Sequence, residues 1–456
     1  MTTAHRLGWR EMQNFRHDQP NTILQLTEQL GRLAHVSMLG IQLHLICEPD
    51  AIRELLIKHA DQLHRDPFTR RIFDRFVSGG VFMAEDEAWR QQRKLVQPVF
   101  HAAHIEQYAQ TFADYAQKMC NSWQPGQTRR LDQEMMALAL RIICQTMFGA
   151  DIDGVIDRIG QLMQTIMAEA EAQLRALMPA PKWLPTPGNS RQRRAVQEIQ
   201  QLLMEIIQER KAQKDHDGDD LLARLLLARD EKGNAMSDQQ VLDECLTVFV
   251  AGHETTAVAL TWAWVLLLQH PDKLEKLQQE VHNTLNGASM HLGALAQMPY
   301  LNQVVKETLR LYPPAPGFGR TPTEPFSLNG SEFKPGDILM FSIYALHRQK
   351  DFYPHPEQFQ PERFAADAEQ PPRYAYAPFG AGPRTCVGNH FALLEIQMVL
   401  ATMVQFLEIS LAPNQQIEPV TLVTLRPKDG VRVRVDSRAS HAGPCANFTP
   451  ASHKNG

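Results

Sequence analysis

The chain has 456 residues, 43% hydrophobic and 21% charged, the composition of a water-soluble globular protein able to bury a substantial core. A net charge of -5, with basic residues scattered rather than striped, argues against a nucleic-acid binder. The six cysteines, at 47, 120, 144, 245, 386 and 445, form no CxxC pair, which suits a reducing cytoplasm and neither a disulfide framework nor a zinc site.

The N-terminal stretch MTTAHRLGWREMQNF has no apolar signal region and no membrane-spanning run, so a soluble protein without a membrane anchor is expected. Residues 21–35 read as a first helix, and 35–49 alternate as a hairpin does. Pro49 opens a helix to about 60, and helical periodicity returns at 88–97, 102–124, 131–148, 156–177 and 190–213. The proline-rich stretch 178–194 between the last two reads as a loop, and the polar run 214–220 as another.

The longest helix is predicted over 238–269, with Ser237 as its cap, Gln240 completing a capping box, and His270-Pro271 ending it. Its apolar stretch is interrupted by His253 and Glu254, which favours a central core helix over a membrane span. Helices at 271–286 and 299–312 follow, then strand-like pieces at 326–333, 337–342 and the pair 421–425 and 430–435. The fold class is mainly α with a minor β part, in one domain over 1–436, and 437–456 reads as a mobile tail.

The most informative segment is Phe379-Gly-Ala-Gly-Pro-Arg-Thr-Cys386-Val-Gly388, followed by an amphipathic helix. Gly380, Gly382 and Gly388 let the backbone turn sharply and approach something flat and large. Cys386 stands just before a helix N-terminus, where free amides and the dipole favour a thiolate. Elsewhere, Glu307 and Arg310 share a helix face at i and i+3, a spacing that also fits an ordinary surface pair worth about 0–1 kcal/mol. Ala251-Gly-His-Glu254-Thr255-Thr256 places an acid and an alcohol inside the long helix, where Thr and Gly can also do no more than kink it. Trp89 and Arg93 project from one helix face, offering an indole N–H and a guanidinium to a carboxylate.

Together these motifs resemble those of the cytochrome P450 monooxygenases, and the likeness covers about residues 20–436. The resemblance implies a long central helix over haem b, with Cys386 as the axial ligand of its iron, whose sulfur favours O–O cleavage. It places Phe379 against the thiolate, and Trp89, Arg93, Arg320 and Arg384 on the haem propionates. It closes Glu307 and Arg310 into a buried structural cluster with Arg363 of the PERF segment. Thr255 would hydrogen-bond the iron-bound peroxo group and Glu254 would deliver protons, while His253 reads as a core histidine and His347 is typical of the family without an assigned contact.

By resemblance, 66–83, 314–319 and 421–425 line the pocket and 178–194 forms a lid. The implied activity is insertion of one oxygen atom from O2 into an apolar substrate of fatty-acid, terpenoid, steroid or polyketide type. Alternatives are a peroxide-driven hydroxylase on the same fold and a haem sensor. No flavin or iron–sulfur motif is present, so electrons are expected from a ferredoxin or flavodoxin with its reductase, drawn to Arg90 and Lys94 of a monomer.

Overall fold

The longest helix of the computed structural model runs Asp238–Gln269, with the bounds its sequence pattern predicts, and the Ser237–Gln240 capping box is formed. The structure describes residues 4–77, 79–149, 153–175, 180–212, 220–328, 330–421 and 423–438. Helix Leu131–Phe148 packs along the central helix, and the apolar helix Asn389–Phe406 packs between it and Ala109–Ser122. One large cluster of buried side chains joins these elements. Burial of an apolar side chain contributes roughly 1.5–3 kcal/mol, so this cluster is what holds the central helix in place.

The β part is small. A six-stranded mixed sheet runs in the spatial order His5–Arg6, Leu33–Met38, Ile41–Ile46, Ile338–Ser342, Gly317–Pro322 and Leu63–Arg65. Its edge register sets Arg65 directly opposite Arg320, which brings together two cations that are 255 positions apart in the chain. The expected hairpin at 35–49 is present as Leu33–Met38 paired with Ile41–Ile46. The 326–333 piece is itself a hairpin, Phe326–Leu328 with Ser331–Phe333.

Several boundaries differ from expectation. The helix expected from 49 to about 60 is α-helical only over Pro49–Arg53, then continues as a wider π turn over Glu54–Lys58 and a tighter turn over Ala60–Gln62. The stretch 102–124 divides into Ala102–Ile105 and Ala109–Ser122. Strands 421–425 and 430–435 do not pair with each other. Pro419–Thr421 pairs with Leu425–Pro427, because Arg432–Arg438 has Leu407–Leu411 on one edge and Thr128–Arg130 on the other. That last strand runs two residues into the expected tail, and 439–456 lie outside the described residues, as does part of the 178–194 lid. Among the described residues, no helix is long and apolar enough to cross a membrane.

Candidate functional site

The cysteine loop is held as a ring of backbone bonds. Cys386 N–H and the Thr385 hydroxyl both donate to Phe379 O, at 2.9 and 3.2 Å, and Gly380 N–H donates to Ala377 O at 3.0 Å. Phe379 itself packs against the main core. Gly382 has φ +74, and a Cβ there would overlap the Leu56 carbonyl oxygen, so only glycine lets the loop lie against the Glu54–Lys58 turn. Gly388 has an ordinary φ of -88 and caps helix Asn389–Phe406, and a Cβ on it would meet nothing within 4 Å.

Cys386 is solvent-accessible, yet the surrounding protein desolvates it. Both statements hold when a side chain faces interior space rather than bulk water. Burial pushes its thiol above the usual range, while the Gly388 N–H and Arg93 pull the other way. The helix end alone therefore does not produce the thiolate that the sequence suggested. A metal bound there would displace the proton outright.

The central helix offers a matching face. It stays α-helical through 251–256. Ala251 is exposed and Gly252 and Thr255 are partly so, in the middle of an otherwise buried helix. The Thr255 hydroxyl donates back to Ala251 O at 2.6 Å. Glu254 is buried and accepts from the Thr424 hydroxyl at 2.7 Å. His253 is a core residue, as expected, bonded through Nδ1 to Phe249 O at 2.6 Å. Trp262 Nε1 donates to Leu425 O and Leu425 N–H to Pro314 O, at 2.8 and 2.9 Å, so the expected pocket segments around 314 and 421–425 meet on this helix.

A nest of guanidiniums completes the site. Arg65 and Arg320 are buried, and Arg384 bonds Glu85 and, at 2.9 Å, Ala84 O. Burial, reinforced by the neighbouring arginines, brings Arg65 down to about 9 and Arg320 to about 10. The acids acting on this pair are Glu85 and Asp66, and Asp66 already caps helix Pro67–Phe73. Arg65 Nε is buried with no partner. The Arg384 guanidinium lies 4.5 Å from the Trp89 ring centroid. Three crowded cations and an orphaned donor fit a ligand that brings carboxylates, as haem does through its propionates. Arg93 donates to Thr385 O at 2.9 Å and so braces the cysteine loop.

The Glu307–Arg310 pair is not a surface pair. Both side chains are 0% exposed, and two bonds of 2.7 and 2.9 Å join them. All five Arg310 N–H groups are used, the others on the carbonyls of His347, Pro356 and Gln358. Arg363 Nε reaches Glu307 at 3.2 Å, as expected. His347 now has a contact. Its Nε2 accepts from Ala377 N–H at 2.9 Å, so Nδ1 must carry the proton toward Arg310 O at 3.1 Å. Burial, with Arg310 beside it, pushes His347 down to about 3, so it bridges the Glu–Arg cluster to the cysteine loop as a neutral ring.

Four site residues have no motif in the sequence: Arg65, Thr424, Glu85 and Glu395. Thr424 left a trace as part of the expected pocket segment 421–425, and Glu395 as the one acid in the apolar helix that follows Cys386. Glu395 is buried with Oε1 unpartnered, and burial holds its carboxyl well above the usual range, with the Thr256 hydroxyl acting against that.

A mainly α fold that carries an accessible cysteine loop, an acid–alcohol step in a long helix and a nest of buried guanidiniums fits an oxidoreductase of the haem-thiolate class. The chain matches the Cytochrome P450 family over residues 7–433, and it belongs to that family. It is similar to a cyclooctat-9-en-7-ol 5-monooxygenase of Streptomyces melanosporofaciens, 32% identical over 87% of this chain and 84% of that protein. It is also similar to the pentalenene oxygenase of Streptomyces avermitilis, 29% identical over 90% of this chain and 91% of that one. Among solved structures, retinoic acid-bound cyanobacterial CYP120A1 superposes with a TM-score of 0.83, at 28% identity, covering 95% of this chain and 98% of that one.

Proposed function

We propose that this protein hydroxylates an apolar, terpenoid-type molecule, using O2 and two electrons from a separate carrier protein. The observation that carries the reading is the Glu254–Thr424 bond of 2.7 Å beside the accessible Thr255 hydroxyl. Haem b supplies the redox-active iron at which O2 is reduced, one oxygen atom going to substrate and the other to water with two protons. Cys386 would ligate the iron, and Arg65, Arg320 and Arg384 would hold the propionates. Thr424 fixes the Glu254 carboxylate, so protons arriving at that buried acid pass toward the Thr255 hydroxyl. A sensor would need no such pair, and a peroxide-driven enzyme would need no proton supply.

The test is coupling. Thr255→Ala should keep haem and substrate binding but divert most reducing equivalents to hydrogen peroxide. A variant as well coupled as wild type would show that Thr255 serves only its bond to Ala251.

Arg90 and Lys94, the expected attraction for a carrier, each already have an acidic partner. Arg90 pairs with Asp61 at 2.8 Å and Lys94 with Glu231 at 2.7 Å, so their charge is already met. A groove of about 540 Å³ lies against the outer side of the cysteine loop, lined by Ile57, Arg373, Tyr374 and Pro383 among others. Arg373 is exposed, and no acid pairs with it among the described residues. An acidic carrier would meet it there. Arg373→Glu should raise the carrier KM several-fold, less so at high salt, with substrate binding unchanged. A KM that does not move would place docking elsewhere.

A further inference from the structure

Glu244 lies early in the central helix, almost three turns before Glu254, and nothing in the chemistry above uses it. Its side chain is buried. Oε1 accepts from Val81 N–H at 2.8 Å, and Oε2 has no partner. Val81 belongs to the short turn Gly80–Met83, inside the 66–83 segment that lines the pocket by resemblance. The contact is close by construction. Gly80 has φ +73, and a Cβ on it would overlap the Thr247 hydroxyl of the central helix. A Cβ on Gly79 would overlap the Asp243 carboxylate. On the far side of the turn, Phe82 lies 4.1 Å under the Arg65 guanidinium. The turn is thus held between the central helix and the guanidinium nest.

Resting on the monooxygenase reading, we propose that Glu244 is a positioning residue for the pocket: as an uncharged acid it tethers the Gly80–Met83 turn to the central helix, and loss of its proton lets that turn lift. Burial pushes Glu244 up to about 8; the Val81 N–H works against this by favouring the carboxylate, and Asp243 beside it adds a smaller like-charge repulsion, so desolvation decides the direction. Other charges nearby do not relieve it. The Gly80–Met83 turn has no titratable side chain. On the helices packed against this end, Arg210 is engaged by Asp220 and Lys211 by Asp238, and Arg224 acts on Tyr108. Burial pushes the neighbouring Cys245 thiol up and holds Cys144 at about 12, so both stay neutral.

The direction follows from linkage. The packed turn holds a proton that a lifted, hydrated Glu244 would release near its ordinary value of 4.5. Tethering is therefore fully present below that value, weakens as pH rises, and levels off above about 8. The weakening is at most about tenfold per pH unit.

Hydrogen exchange of the Val81 amide in the haem-loaded protein reads this without turnover, so its result is separate from whether a substrate is hydroxylated. Glu244→Gln keeps an acceptor for Val81 and cannot ionise. The ratio of wild-type to Glu244→Gln protection cancels the intrinsic base catalysis of exchange. That ratio should fall between pH 5 and 8 and then stay level. A ratio constant over this range overturns the proposal. Asp243→Asn, which leaves Glu244 in place, guards against failure of the first variant to fold. It should move the wild-type transition to higher pH only if Asp243 stabilised the charge; here it removes repulsion, so the transition should move acidward. An unmoved midpoint also overturns the proposal.

Discussion

Glu307→Ala and Arg310→Ala are each expected to yield little folded, haem-loaded protein. Neither side chain is exposed, and each is the other's principal partner. Removing Glu307 leaves Arg310 buried without an acid and also takes the acceptor from Gln360 N–H and Arg363. Breaking a buried pair in this way costs about 3–5 kcal/mol, a large share of the 5–15 kcal/mol by which domains are typically stable. The loss should spread beyond the pair. Arg310 holds the carbonyl of His347, and His347 holds Ala377 at the start of the cysteine loop. Arg310→Lys should fail almost as badly, since an ammonium cannot span Glu307 and three carbonyls in one plane. Thermal unfolding by circular dichroism, with the haem content of the soluble fraction, measures both effects. Glu307→Ala protein that is stable and fully loaded would show that the cluster is dispensable.

How much of this was legible beforehand depended on distance along the chain. The central helix was readable to the residue, because its cap, its capping box and its terminating His270-Pro271 are all local signals. Helices Leu131–Phe148, Pro271–Leu285 and Pro299–Leu311 were readable for the same reason. The strand pairings near the C-terminus were not. Arg432–Arg438 takes Thr128–Arg130, about 300 residues earlier, as a neighbour, and no local pattern carries that choice. The site divides along the same line. Cys386, Thr255 and Glu307 sit in short motifs, so their residue types and spacing point to chemistry. Arg65 gains meaning only through its register opposite Arg320, and Thr424 only by folding onto Glu254, 170 positions away. Arg90 and Lys94 are the opposite case. They look like free cations on a helix face until Asp61 and Glu231 arrive from elsewhere.

Cys386→His should abolish the strongly red-shifted Soret band that thiolate ligation gives the ferrous carbonyl complex, while leaving the fold intact. The structure narrows the choice of ligand by exposure and by proton affinity. Cys47, Cys120, Cys144 and Cys245 are buried, and Cys386 alone is exposed among the described cysteines. Burial pushes Cys47 and Cys144 to about 12, which leaves them inert as thiols. Cys386 is raised too, but unlike Cys47, Cys144 and Cys245 it has a cation, Arg93, acting with the Gly388 N–H to favour the charged form. Arg93 also braces the loop at Thr385 O, so it both steadies the sulfur and favours its charged form. Imidazole in place of sulfur would still offer the iron a ligand but not the electron donation that drives O–O cleavage, so hydroxylation should fall by orders of magnitude. Substituting Cys47, Cys120, Cys144, Cys245 or Cys445 should keep the band. Persistence of the band in Cys386→His protein would assign the thiolate to another residue and with it the whole orientation of the site.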